Sequence, residues 1–202
     1  MSAIRLIVGL GNPGAQYEGT RHNAGAFFVR RLAAQFDLSL ATDRNALGES
    51  ARGNIAGHDL RLLIPETFMN ESGRSVAAMA RYYRIGAEEI LIAHDELDVP
   101  PGEARFKCGG GHGGHNGLRD IIPALGGQRE FWRLRLGIGH PGSAKQVSSW
   151  VLSKASADDQ TAIEASTASA LAALPLLLDG ESIKAMTALH SESHQPARPR
   201  ED

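Results

Sequence analysis

Apolar segments of strand length alternate along this chain with segments of helical periodicity, and this alternation limits the possible folds more than any other feature. Strands are predicted at residues 3–9, 49–56, 58–64, 89–93, 103–107 and 131–138, and the second and third of these form a hairpin that turns near Gly57. Helices are predicted at residues 21–36, 72–84, 116–125, 157–178 and 181–189. Interleaved strands and helices are typical of an α/β domain with a largely internal sheet.

The length of the chain suits one compact domain. Its 202 residues, 42% of them apolar, suffice for a single core, and no internal repeat is evident. We assign residues 1–190 to this domain. Beyond His190 the chain becomes polar, with mixed charge and the prolines Pro196 and Pro199. Residues 191–202 are therefore predicted to be a disordered tail without a part in the chemistry.

Three features favour a cytoplasmic location. No apolar run approaches the roughly 18 residues that span a bilayer. Residues 1–6 lack the basic region, apolar stretch and cleavage site of a signal peptide. Cys108 is the only cysteine, which excludes an internal disulfide. We therefore expect a cytoplasmic protein.

Positive charge is concentrated in one part of the chain. The formal net charge is only −2, but residues 99–154 contain eight Lys and Arg against three acids, an excess of five positive charges. Such a zone on an otherwise acidic body is suited to holding phosphate locally, although a solvated basic face is an equally good interpretation of charge alone.

A Gly-x-Gly-x-x-Gly pattern spans residues 9–14, directly after the first predicted strand. A dinucleotide site would need a helix that begins at these glycines and a second strand that ends in an acid about 20 residues further on. Pro13 keeps the chain irregular until about Thr20, and Asp37 ends a helical pattern instead. The sequence therefore disfavours a nucleotide cofactor. Asn12 remains as an amide beyond a strand's carboxyl end, where α/β sheets commonly bind ligands.

His22 and Asp95 are candidates for a catalytic pair. His22 opens the first predicted helix, and Asp95 follows the strand at 89–93. If the two preceding strands are neighbours, these side chains could meet above the sheet. A carboxylate that orients an imidazole and stabilises its protonated form makes a general base. Glu96 and Asp98 are predicted to be turn residues.

Residues 109–117 contain a second, denser glycine segment with His112 and His115. Its exposed backbone suits close approach of a ligand. The two histidines raise the alternative of a zinc site, but the chain has neither a His-Glu-x-x-His motif nor a cysteine pair. No Gly-Lys-Ser/Thr follows as in a Walker loop, and no Gly-x-Ser-x-Gly elbow occurs. A lone cysteine such as Cys108 is more often a small buried hydrophobe, which leaves water as the expected nucleophile.

Several blocks of the sequence resemble the bacterial peptidyl-tRNA hydrolase family, in the order found in that family. They are residues 9–14 (Gly-Leu-Gly-Asn-Pro-Gly), Tyr17, residues 20–23 (Thr-Arg-His-Asn), 67–73 (Thr-Phe-Met-Asn-Glu-Ser-Gly), 94–98 (His-Asp-Glu-Leu-Asp), 109–117, and 135–141 (Arg-Leu-Gly-Ile-Gly-His-Pro). Each block is weak alone, but the ordered set is specific. The resemblance covers residues 4–178 and implies a monomer with a twisted mixed β-sheet surrounded by α-helices.

The resemblance also implies roles for individual residues. His22 is similar to the family's general base, Asp95 to the residue that supports its basic form, and Asn12 to the amide that distinguishes N-blocked peptidyl-tRNA from free aminoacyl-tRNA. Residues that resemble those lining the tRNA 3′ end and the peptide backbone are Tyr17, Phe68, Asn70 and Asn116, with Met69 and His115 beside them in the cleft. Residues that resemble a clamp for the tRNA 5′-phosphate are Arg105, Lys107 and Arg135.

This chain departs from the family pattern at two of these positions. Arginine stands at Arg105, where lysine is expected, and Cys108 stands where an aliphatic residue is expected. The first departure keeps the charge but adds a bidentate guanidinium.

The implied reaction is direct hydrolysis of the ester between peptide and tRNA by water that His22 activates, without metal, cofactor or covalent intermediate. Asn12 or Asn70 would donate to the oxyanion. The alternative from another class is a non-catalytic RNA-binding relative, similar to some plant organelle splicing factors. Such a protein could lose the His–Asp pair and keep the basic surface.

Overall fold

A computed structural model describes residues 2–192 of the chain. Within that range the strands are β1 Leu6–Gly9, β2 Ala41–Asp43, β3 Gly48–Ile55, β4 His58–Pro65, β5 Ile90–Glu96, β6 Ala104–Cys108 and β7 Trp132–Gly137. The α-helices are α1 Ala24–Gln35, α2 Ser72–Tyr83, α3 Asn116–Ala124, α4 Val147–Val151, α5 Ala157–Leu178 and α6 Ser182–Glu192. The predicted tail at 191–202 lies, apart from its first two residues, outside the described residues.

The seven strands form one mixed sheet in the order β2-β3-β4-β1-β5-β7-β6. Strand β1 is parallel to both β4 and β5, and β5 is parallel to β7. The pairs β2–β3, β3–β4 and β6–β7 are antiparallel. The expected mixed sheet surrounded by helices is confirmed. Because β1 and β5 are neighbours, the segments that follow them emerge side by side at one edge.

Both faces of the sheet are buried, which explains why its central strands are apolar runs rather than alternating ones. On one face α1, α5 and α6 pack over residues such as Ile7 and Leu91. On the other face α2 and α3 pack over Leu6, Val8 and Ile92. Phe28 of α1 is fully buried in the first of these layers. Burial of one such side chain contributes about 1.5–3 kcal/mol to stability.

Two of the differences in element boundaries, and one missed strand, have identifiable reasons. Strand β5 continues beyond residue 93 because its pairing with β7 extends to Glu96, opposite Gly137. The assignment of Glu96 to a turn was therefore wrong. The helix expected from residue 21 begins as a 3-10 turn, Arg21–Asn23, before α1. Strand β2 was missed because it is short and largely exposed, so it shows no hydrophobic pattern.

Helix α5 has the predicted bounds and is long and apolar enough to cross a bilayer by length and composition. Polar residues divide the sequence of this helix into short apolar runs, so the search for one long apolar run does not detect it. Half of its most apolar window is buried within the domain. Buried residues such as Ala170 and Leu174 pack in the same layer as α1. This is the burial expected of a core helix.

Candidate active site

Close packing of α1 on the sheet brings His22 to the carboxyl ends of β1 and β5. A β-carbon built on Gly25 would lie 2.1 Å from the Ala93 carbonyl oxygen, and one built on Gly9 would lie 2.4 Å from the Gly25 oxygen. Only glycine allows backbones to approach this closely. The Leu10 amide donates to the Ala93 oxygen at 3.0 Å and continues the pairing of β1 with β5. His22, in the turn just before α1, is thereby held over Asp95.

His22 and Asp95 form a buried hydrogen-bonded pair. The Nδ1 atom of His22 lies 2.9 Å from both carboxylate oxygens of Asp95. The two residues are only 7% and 3% exposed. Burial alone would lower the pKa of His22, but the carboxylate of Asp95 outweighs it and raises this pKa above the ordinary 6.5. With Nδ1 bound to Asp95, Nε2 is the nitrogen left to accept a proton.

His115 is a second imidazole on the same carboxylate. Its Nε2 atom lies 2.8 Å from Asp95 Oδ1. Its Nδ1 atom caps α3 and accepts from the backbone amides of Gly117 at 3.1 Å and Leu118 at 3.4 Å. A nitrogen that accepts two N–H groups carries no hydrogen, so His115 holds its proton on Nε2 and donates it to Asp95. Burial would raise the pKa of Asp95, but His22 and His115 together hold it well below its usual range.

The same three side chains bear on the zinc alternative. The ligand atoms of His22, Asp95 and His115 lie within 4.8 Å of one another. A neutral histidine that binds a metal through Nε2 carries its hydrogen on Nδ1 and donates it to an acceptor. His115 instead presents Nδ1 to two backbone donors. This set therefore does not fit a metal ion, and His112 uses its own Nδ1 to accept from Gly114.

Asn12 is held in place by hydrogen bonds with two residues, Met69 and Asn23. Its Oδ1 accepts from the Met69 amide at 2.8 Å, so its Nδ2 remains as a donor at the cleft. Asn23 grips its backbone in both directions, because Asn23 Oδ1 accepts from the Asn12 amide at 2.8 Å and Asn23 Nδ2 donates to the Asn12 oxygen at 2.9 Å. The sequence reading missed this function of Asn23, although Asn23 lies in the block shared with His22.

A cavity of about 460 Å³ opens over these groups. The predicted residues that line it are Asn12, His22, Phe68, Met69, Asn70, Asp95, His115 and Asn116. Leu97 and the α4 segment, including Val151 and Leu152, supply an apolar wall. Tyr17 is absent from the lining but contacts its rim, with its ring 6.5 Å from that of Phe68 in an edge-on arrangement. Phe68 is 52% exposed, which leaves a ring face for stacking.

The predicted clamp residues lie apart from the cavity, on paired strands at one edge of the sheet. Arg105 of β6 is opposite Arg135 of β7, and Lys107 is opposite Arg133. Like charges directly across a strand pair repel, which favours an anion over this surface. Arg105 Nη2 donates to Glu103 at 3.0 Å, and Arg135 Nε donates to Glu96 at 2.7 Å. Lys107 forms no ion pair with any residue that the structure describes.

Comparisons with known proteins agree along nearly the whole chain. A family model described as peptidyl-tRNA hydrolase matches residues 6–197. A peptidyl-tRNA hydrolase of Pseudomonas putida strain F1 is 59% identical over 192 residues, which cover 95% of this chain and 99% of that protein. One from Pseudomonas fluorescens strain SBW25 is 58% identical with the same coverage. The crystal structure of peptidyl-tRNA hydrolase from Acinetobacter baumannii matches with a TM-score of 0.90 and 53% identity, covering 94% of this chain and 95% of the other.

Proposed function

The chain belongs to the peptidyl-tRNA hydrolase family and hydrolyses the ester bond of peptidyl-tRNA, and we propose that its nucleophile is a water molecule activated by His22. The observation that carries this mechanism is the buried hydrogen bond between His22 Nδ1 and Asp95. It leaves Nε2 of a cavity-lining imidazole to act as the base.

In the proposed reaction His22 Nε2 takes a proton from water as the water oxygen bonds to the ester carbonyl carbon. The carboxylate of Asp95 stabilises the imidazolium that forms. When the tetrahedral intermediate collapses, the bond between the carbonyl carbon and the ribose oxygen breaks, and His22 returns the proton to that oxygen. The Nδ2 group of Asn12, or the amide of Asn70, donates to the oxyanion. No covalent intermediate is required.

The orientation of Asn12 also supports discrimination between substrates. Because Oδ1 is occupied by the Met69 amide, Asn12 presents a donor to the cleft. An N-blocked residue offers a carbonyl acceptor next to its α-nitrogen, whereas a free aminoacyl ester has a charged ammonium group there. A donor at this position favours the first substrate and leaves the Asn12 amide without an acceptor when the second is bound.

We place the acceptor end of the tRNA against Tyr17 and Phe68, with Asn70, Asn116 and Met69 along the cleft, and the 5′-phosphate on Arg105, Lys107 and Arg135. The exposed aromatic ring of Phe68 supports the first placement, and Lys107, which forms no ion pair within the described part of the chain, supports the second. We further propose that the chain acts as a monomer in the cytoplasm, where translation produces the substrate. The exposed free thiol of Cys108 suits a reducing compartment.

Release of N-acetylated amino acid from tRNA by wild type and His22→Ala tests the mechanism. We expect the variant to lose about 10²–10⁴-fold in kcat, the contribution of a positioned general base. Unblocked aminoacyl-tRNA serves as the substrate control, and circular dichroism shows whether the variant is folded. Near-normal turnover by a folded His22→Ala would refute the assignment. Exhaustive treatment with EDTA should leave turnover intact, whereas a zinc-dependent reaction would stop.

The non-catalytic RNA-binding alternative is less well supported. It allowed loss of the His–Asp pair, but both residues are present and lie 2.9 Å apart. Tight RNA binding without deacylation of N-acetyl-aminoacyl-tRNA would favour it.

A further inference from the structure

Arg133 holds the second glycine segment in a way that the 5′-phosphate clamp does not require. We call residues 109–114 the glycine loop. The guanidinium of Arg133 donates from Nη1 to the Gly111 oxygen and from Nη2 to the Gly110 oxygen. Arg133 lies on β7 between the clamp and the loop, and it is almost fully buried. Its neighbour Arg135 on the same face points instead to Glu96.

The glycine loop has little else to hold it in place. Gly109, Gly110, Gly113 and Gly114 all have positive φ angles, which glycine adopts at low cost but which leave the unfolded loop with high entropy. Its main-chain contacts are few: the Gly109 amide donates to the Phe131 oxygen, and the loop closes with a bond from the His115 amide to the His112 oxygen. The two bonds from Arg133 are therefore a large share of what fixes the loop.

The hydrogen-bond partners of the Arg133 guanidinium are carbonyl groups and not carboxylates. Within residues 2–192 it forms no ion pair with a carboxylate. Its guanidinium lies over the Phe131 ring, 4.7 Å from the centroid. A β-carbon on Gly110 would lie 3.3 Å from Lys107 Nζ, a tight contact, and 3.7 Å from Arg133 Nη1, an ordinary van der Waals contact, so the loop backbone passes directly beside both cations. A planar fork that meets two successive carbonyl groups is a geometry that lysine cannot reproduce.

We propose that Arg133 is a positioning residue that fixes the glycine loop on β7 and so sets the places of His115 and Asn116 in the cleft. The loop ends at Gly114, and the next residue, His115, donates to Asp95. Movement of the loop therefore changes the contacts of the carboxylate that supports His22. Arg133 acts through this chain of contacts and not as a further phosphate ligand. This inference rests on the proposed function.

The test compares Arg133→Lys and Arg133→Gln with wild type on N-acetyl-aminoacyl-tRNA with and without its 5′-phosphate. Arg81→Gln is the matched control, because Arg81 is an exposed cation on α2, outside the basic zone. We expect kcat to fall about 10- to 100-fold in both Arg133 variants, since small misplacements of catalytic groups have effects of this size. The advantage of the 5′-phosphate should persist. Hydrogen exchange should increase at the amides of His115, Gly117 and Leu118, and Arg81→Gln should match wild type.

Other outcomes separate the explanations. If the variants keep their kcat but lose the advantage of the 5′-phosphate through a higher KM, Arg133 is a phosphate ligand and the inference is wrong. A lower melting temperature with unchanged kcat and unchanged exchange at residues 115–118 would make Arg133 merely structural and would also overturn it. Absence of turnover by wild type would instead refute the proposed function.

Discussion

Asp95 accepts hydrogen bonds from two imidazoles that are held in different ways. His115 is fixed in one neutral form by the two backbone amides that it caps. Among the described residues no hydrogen-bond donor or acceptor occupies Nε2 of His22, which lines the cavity and is the nitrogen available to act as the base. His94, which follows Ala93 on β5, stays neutral because burial lowers its pKa to about 4. The charge that stabilises protonated His22 is therefore that of Asp95, moderated by the N–H donated from His115.

This arrangement predicts opposite pH shifts in two variants. His22 must be neutral to act as a base, so kcat/KM should fall as the pH drops through its pKa, which lies above 6.5 in wild type. In Asp95→Asn the carboxylate is lost while burial remains, so this pKa falls and the acidic limb moves to lower pH. The plateau should also fall by at least about 100-fold, because the imidazolium is no longer stabilised.

In His115→Ala the carboxylate of Asp95 loses a donor and acts more strongly on His22. The pKa of His22 therefore rises, and the acidic limb moves to higher pH. The measurement for both variants is kcat/KM for N-acetyl-aminoacyl-tRNA between about pH 5 and 9, with His58→Ala as a control that removes a solvent-accessible His–Asp pair. If the acidic limb moved in the same direction in Asp95→Asn and His115→Ala, the explanation that His22 and His115 share the carboxylate of Asp95 would be wrong.

The residue types at the site were predictable from sequence, but their hydrogen-bond roles were not. His22 stood out because it opens the first predicted helix, and Asp95 because it follows the strand predicted at 89–93. The cap formed by His115 had a possible signal, since it immediately precedes the helix predicted at 116–125. The hydrogen bonds between Asn23 and Asn12 had no signal in the sequence, because they join two segments whose approach depends on the packing of α1.

At the scale of elements, the site depends on how closely α1 approaches β1 and β5. Gly25 lies within α1, where alanine would normally stabilise a helix by about 1 kcal/mol. Here the added β-carbon would meet the Ala93 oxygen at 2.1 Å and the Leu10 nitrogen at 2.7 Å. These are backbone atoms of β5, which carries Asp95, and of the segment just after β1, which carries Asn12, so they cannot move aside independently of the site.

We therefore expect Gly25→Ala to destabilise the protein by about 1–3 kcal/mol, the usual cost of overpacking, despite its better helix propensity. It should also lower kcat/KM, because α1 carries His22 away from Asp95. Gly86→Ala is the control, since the three atoms nearest to its β-carbon would belong to the flexible carboxylate of Glu88. Urea denaturation and N-acetyl-aminoacyl-tRNA turnover measure the two effects. A Gly25→Ala protein as stable and active as wild type would show that α1 can shift without cost.

The elements that sequence predicted best are those with strong apolar patterns. Helix α5 was predicted with its observed bounds, and the β3–β4 hairpin was within one residue at each end. Strand β5 was predicted too short because His94, Asp95 and Glu96 look like turn residues until their pairing with β7 is known. Helix α4 was missed because it has five residues and one buried side chain, too few for a periodic signal.

At the scale of the whole molecule, the predicted phosphate-binding cations and the His22–Asp95 pair lie on different strands of the sheet. The His22–Asp95 pair lies over β1 and β5 at the centre of the sheet, whereas the predicted clamp residues lie on β6 and β7 at one edge. The net charge of −2 gives no general attraction for RNA, so the proposed binding of the 5′-phosphate depends on this local surface. The cations are not equivalent, because Glu103 and Glu96 already engage Arg105 and Arg135. Lys107 has its full charge available for phosphate.

This difference in ion pairing predicts that Lys107→Gln weakens tRNA binding more than Arg105→Gln does. Each phosphate contact that is lost should reduce the steepness of log(kcat/KM) against log salt concentration by roughly 0.7–0.9. We expect the full reduction for Lys107→Gln and a smaller one for Arg105→Gln, because the bond to Glu103 competes with phosphate. Lys184→Gln on α6 is the control for loss of a positive charge elsewhere. If Arg105→Gln had the larger effect, the guanidinium would have to leave Glu103 when tRNA binds, and Glu103→Gln should then increase affinity.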